Sequence, residues 1–93
     1  MIGRETVVER SPGLQAARIS ENEMVILGHT SDFYLGIDET GMAIWDQLDS
    51  TKSIGEIIDA MTGIYDGETQ LIEKDVLVFV EQLLNEGVLR AHD

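Results

Sequence analysis

Between Asp32 and Leu48 the hydrophobic pattern changes from that of a strand to that of a helix. Phe33, Leu35 and Ile37 alternate with Tyr34 on the opposite face, as in a half-buried extended segment. From Gly41 onward the spacing is helical, with Gly41, Ile44, Trp45 and Leu48 on one side. Asp38 stands at the junction, where its carboxylate can accept a backbone N–H from the first turn, and Glu39 suits the positive end of the helix dipole. The strand and the helix are expected to meet at a fixed angle.

Upstream, Leu14 to Ile19 alternates loosely, Glu21-Asn22 interrupts the run, and Met24-Val25-Ile26-Leu27 is a short apolar segment suited to a central strand. Gly28-His29-Thr30-Ser31 turns the chain into the Asp32–Ile37 segment, so the three strands predict an antiparallel meander. Residues 1–12 form an N-terminal arm with one apolar pair, Val7-Val8, closed by the turn sequence Ser11-Pro12-Gly13; it either frays or adds a short strand.

The second half is helical. Ser53-Ile54-Gly55-Glu56 fits a capping box, and Ile54, Ile57, Ile58, Met61 and Tyr65 follow on one helical stripe, with Asp66-Gly67 as the expected stop. A third helix carries Ile72, Val76, Phe79, Val80, Leu83 and Leu84, with Gly87 placed as its C-terminal stop. Strands followed by helices without alternation predict an α+β domain over residues 13–93, ordered βββααα: a three-stranded antiparallel sheet, then three helices whose apolar stripes cover it.

Composition narrows the function. Ninety-three residues make one domain, and the absence of cysteine excludes disulfides, thiolate zinc sites and cysteine nucleophiles. No window is long and apolar enough for a membrane span, and Met1-Ile2-Gly3-Arg4-Glu5 does not open a secretory signal, so a cytoplasmic protein without a membrane partner is expected. The net charge is −12, with −2 in residues 1–37 (three basic, five acidic) and −10 in residues 38–93 (three basic, thirteen acidic). A phosphate-binding surface needs the opposite balance, so nucleic acid is not an expected partner.

Catalytic candidates are poor. His29 lies in a turn and His92 at the tail, neither with zinc-ligand spacing, and no Gly-rich loop with a lysine follows a strand. Glu56 and Asp59, Glu73 and Asp75, and Glu81 and Glu86 fall where a solvated helix face puts acids, and the runs from Asp38 and Asp66 do not fit an EF-hand loop. An acyl-carrier reading fails because Asp49-Ser50 is followed by Thr51 and the first third of the chain reads as strands. No catalytic residue, cofactor or metal is expected.

What remains is recognition through a sheet edge. In a sequential meander the third strand has unpaired N–H and C=O groups, which can accept an incoming peptide strand. Its apolar lining would come from Phe33 and Leu35 and from the third helix, beside outward-pointing Tyr34, Asp75, Val78 and Gln82.

The run Leu35-Gly36-Ile37-Asp38-Glu39-Thr40-Gly41-Met42-Ala43-Ile44-Trp45-Asp46-Gln47-Leu48 follows an aromatic strand. With Ser53-Ile54-Gly55-Glu56-Ile57-Ile58, and with Asp75-Val76, Phe79, Leu83 and Gly87-Val88-Leu89, it resembles the PqqD-like family, also called RiPP recognition elements. The likeness spans roughly residues 13–89. It implies a winged-helix-like, non-catalytic adaptor that binds the leader segment of a ribosomally made precursor peptide as an extra strand and delivers it to a maturation enzyme, a leader peptidase or a radical SAM enzyme. Carried over by position, the peptide-binding residues are Asp32, Phe33, Tyr34 and Leu35 on the strand and Lys74, Asp75, Val78, Phe79 and Gln82 on the helix. PqqD proper, the pyrroloquinoline quinone protein, favours a Cys-Asp-Gly-like segment after the first helix; here Leu48-Asp49-Ser50 stands instead, and the Gly-x-x-Ile-Trp helix is more similar to discrete lasso-peptide recognition proteins. The alternatives are a peptide chaperone of quinone-cofactor biosynthesis and a winged-helix DNA-binding regulator. The second would need a basic recognition helix, and the third helix offers Lys74 against Glu73, Asp75, Glu81 and Glu86.

Overall fold

Alternation in the first half of the chain produces a small three-stranded sheet. The computed structural model describes residues 2–27, 34–65 and 67–92. Strands β2 (Gln15–Ser20), β3 (Glu23–Leu27) and β4 (Tyr34–Ile37) form the expected antiparallel meander, in the order β2-β3-β4. Its cross-strand rows separate the two faces. Ala16, Ile26 and Leu35 share one row and Arg18, Met24 and Ile37 another, and these point toward the helices, with Ile26, Met24 and Ile37 buried. The Asp32–Ile37 strand is described from Tyr34 onward; Asp32 and Phe33, like His29, lie outside the described residues.

A second sheet was not expected. The arm supplies β1 (Val7–Arg10), which pairs antiparallel with β5 (Lys52–Ser53) on one side and β6 (Leu89–His92) on the other. Backbone bonds continue this join past the ladder, from Ile54 N–H to the Thr6 carbonyl and from Gly55 N–H to the Arg4 carbonyl, each 2.9 Å. Among the described residues, six strands and three helices keep the α+β class and the winged-helix-like core, with the arm's strand at the centre of the second sheet.

Two of the helices begin where a side chain satisfies an orphan amide. Asp38 caps α1 (Glu39–Asp46) by accepting from Gly41 N–H at 2.9 Å. Ser53 and Glu56 form the reciprocal box at the start of α2 (Ile54–Ile64). That helix stops before the expected Asp66-Gly67: Tyr65 is already extended and stays partly exposed, so it drops off the buried stripe of Ile54, Ile57, Ile58 and Met61. Helix α3 (Thr69–Asn85) buries Val76, Val80 and Leu83. Gly87 follows at φ 78°, the left-handed conformation in which Val88 N–H reaches back to the Leu83 carbonyl.

The core is wholly apolar, with no buried polar or charged residue among those described. Trp45 is buried within it, and Arg10 of β1 lies 4.0 Å from its ring centroid while donating to the Trp45 carbonyl at 2.6 Å. Burial lowers the Arg10 pKa, opposed by the nearby Asp46 and Asp49. A cation over an indole contributes on the order of 1 kcal/mol, here fastening the arm to α1.

On the second sheet, Glu9 of the central strand accepts from Arg90 of β6 at 2.7 Å and lies 2.6 Å from His92. The hydrogen bonds from Arg90 and then His92 hold its carboxyl below the usual carboxylate range. Because the folded-state pKa is depressed, the stabilisation is complete above the unfolded value and is lost as pH falls through the folded one. Glu9→Gln is therefore expected to lower the melting temperature near neutrality, with the gap to the parent closing below about pH 4. Thermal melts across that range check this; a gap that does not change with pH contradicts it.

Candidate functional site

Three features converge at the end of β4. The first is the strand's outer side, which pairs with no other strand among the described residues and so leaves a run of unpaired backbone groups. The second is the capped start of α1, and the third is the face of α3 that its buried stripe leaves over. Helix positions 74, 75, 78, 79 and 82 all lie on that face, and a cavity of about 460 Å³ opens between it and α1. Its walls are Asp38, Thr40, Gly41 and Ile44 on one side and Lys74, Asp75, Val78, Phe79 and Gln82 on the other.

All five helix residues expected at a peptide site thus line one groove. Lys74, Asp75 and Gln82 are exposed, Phe79 is half-buried as its floor, and Val78 stands 60% exposed, an apolar side chain left in water. Tyr34 and Leu35 lie on the strand that leads into the groove rather than in its wall; Tyr34 points out, and Leu35 is half-buried on the inner face. Asp32 and Phe33 lie outside the described residues.

The wall contributed by α1 was not among the expected site residues. Gly41 and Ile44 carry the helical spacing of a core stripe, and both are buried, yet their edges also face the groove together with Thr40. Taking the residues of α1 that face α3, rather than those that face the sheet, would have found them. A smaller cavity of about 150 Å³ continues the groove toward α2, sharing Thr40, Ile44 and Asp75 and adding Met61, Tyr65, Ile72 and Val76. At the other end, a shallow depression along α3 is bounded by Val78, Glu81, Gln82, Asn85 and Glu86.

The make-up of the groove sets what it can contact. It holds no histidine or cysteine, and among the described residues no group of three or more histidine, cysteine or acidic side chains could hold a metal ion. Its assets are an open strand edge, a strip of apolar surface and a few charged groups at the rim, which are the elements of strand-addition recognition.

The family model for Coenzyme PQQ synthesis protein D (PqqD) matches residues 23–89, from β3 through the start of β6. The chain belongs to the PqqD family. Among solved structures it is similar to TbiB1 in complex with the TbiA(beta) leader peptide, at 29% identity over 91% of this chain and 98% of that one, with a TM-score of 0.79. Two more distant structures share the fold. A lasso peptide synthetase B1 complexed with its leader peptide is 24% identical over 89% of this chain and 96% of that one, TM-score 0.74. The PqqD truncation of Methylobacterium extorquens PqqCD, a stand-alone RiPP recognition element, is 20% identical over 97% and 95%, TM-score 0.78. No curated protein sequence matches the chain significantly.

Within this PqqD-family fold the groove depends on a single close approach. A Cβ at position 41 would sit 2.5 Å from Ile37 Cγ2 and 2.9 Å from Phe79 Cε1. Both distances are inside contact range, and Ile37 is a buried side chain with little room to retreat. Gly41→Ala is expected to destabilise the fold by about 1–3 kcal/mol through overpacking, in spite of alanine's better helix propensity. Urea unfolding measures this; a stabilised Gly41→Ala variant contradicts it.

Proposed function

We propose that the chain is a non-catalytic adaptor that binds the leader segment of a ribosomally synthesised precursor peptide and presents it to a maturation enzyme. The observation that carries this reading is the unpaired edge of β4 running into the groove between α1 and α3. An added peptide strand satisfies the edge's backbone groups and places alternate side chains over Phe79 and Val78, so that backbone pairing supplies affinity and the groove supplies selection. The peptide-bound state of TbiB1, the 29% identical relative, supports the same occupant here.

Tyr34 and Leu35 act as the strand side of the site, with Asp32 and Phe33 preceding them, and Lys74, Asp75, Val78, Phe79 and Gln82 act as the helix side. The discrete lasso-peptide type is the branch we favour, with a leader peptidase as the enzyme served; a radical SAM partner belongs to the quinone-cofactor alternative that the family's description keeps in view. The winged-helix likeness does not extend to DNA: α3 and its C-cap expose Asp75, Glu81 and Glu86 against Lys74, which repels a phosphate backbone.

Titrating the leader segment of the precursor encoded beside this chain into isotope-labelled protein is expected to shift amides in 34–37 and 74–82. A lasso-type and a quinone-type leader in parallel separate the two branches. Because Val78 is exposed, Val78→Glu should leave the melting temperature within a degree or two and weaken leader binding by roughly tenfold or more. Binding with shifts confined to other elements, or unaffected by Val78→Glu, overturns the reading.

A further inference from the structure

The outer face of the meander is short of charge in a strongly acidic chain. Two consecutive cross-strand rows, Gln15–Leu27–Tyr34 and Ala17–Val25–Gly36, carry no charged side chain. Their residues point away from the helices, opposite the buried row of Met24 and Ile37. Tyr34 is 72% exposed and Leu27 37%, and Ile19, next along β2, is 63% exposed. A Cβ at Gly36 would meet nothing within 4 Å, so the face is open at that row. Glu23 enters only toward the β2–β3 turn, opposite Ser20. A net charge of −12 supplies ample polar surface elsewhere, so an uncharged strip on this sheet calls for a physical use.

We propose that this face is the docking surface for the maturation enzyme, through an uncharged, apolar patch on that enzyme; the inference rests on the peptide-adaptor reading. The face is continuous with the peptide site because Tyr34 and Gly36 lie on the edge strand itself. A peptide strand added to β4 extends the sheet by one strand, and every second side chain of that peptide projects onto the outer face beside them. An enzyme seated there contacts adaptor and leader together. It therefore binds the loaded adaptor more tightly than the empty one, and by linkage the enzyme tightens leader binding by the same factor. A second copy of the chain is the weaker occupant: each copy brings a charge of −12, and self-stacking would cover the face the enzyme needs.

The test uses the full chain, its leader peptide and the leader-processing enzyme encoded with them. Ala17→Glu and, separately, Leu27→Glu place a carboxylate on the face at positions outside the peptide groove. The expected result is leader affinity within twofold of the parent, enzyme affinity reduced tenfold or more, and, in the parent complex, slowed hydrogen exchange over 15–27. The inference is overturned if the enzyme binds both variants normally, if protection falls on the helices alone, if no enzyme binding occurs, or if sedimentation shows a dimer that the substitutions abolish. Loss of leader binding by the parent chain is a different result and sinks the adaptor reading instead.

Discussion

Helix α1 lies where it does because residue 41 has no side chain. Ile37, the last residue of β4, and Phe79 of α3 both close on that position, so one glycine sets the separation of strand, first helix and third helix. The rest of the site follows. With α1 held against Ile37, its capped N-terminus faces α3, and the wedge left between them becomes the groove. A larger residue would push Phe79 into that wedge or drive α1 off the sheet. The same contact keeps Phe79 half-buried, with one side of its ring in the core and the other available to a ligand.

Around this contact the labour is divided by face. Trp45, on the next turns of α1, takes no part in the groove; it is buried and clamped by Arg10, and through it the N-terminal strand is tied to the helical core. The acidic residues of α2 and α3 lie mostly on solvated surfaces, where Arg4 pairs with exposed Asp59 at 3.0 Å and with half-buried Glu73 at 3.7 Å. Exposed pairs of this kind contribute at most about 1 kcal/mol each. Stability comes from the apolar core and backbone pairing, which leaves the strand edge, groove and outer sheet face for recognition.

The elements with local causes were legible in the residues themselves. Asp38, the Ser53–Glu56 box and Gly87 each act within a few positions of themselves, and each performs the expected role in the structure. The second sheet was not legible, because β1, β5 and β6 come from three distant parts of the chain and are joined mainly by backbone groups that every residue carries. On the helix side of the site, Lys74, Asp75, Val78, Phe79 and Gln82 follow from asking which positions a buried stripe leaves on one flank. The opposite wall was missed because Gly41 and Ile44 satisfy the pattern of a core helix, and helical periodicity does not say which neighbour a stripe meets.

The central claim is that a leader peptide binds as an additional strand on the free edge of β4. Isotope-filtered contacts between labelled protein and unlabelled leader test it most directly. The account predicts a ladder of backbone proton contacts from the peptide to Tyr34, Leu35, Gly36 and Ile37, together with side-chain contacts to Val78 and Phe79. A peptide that binds through helix contacts alone, with no backbone ladder to β4, would contradict it.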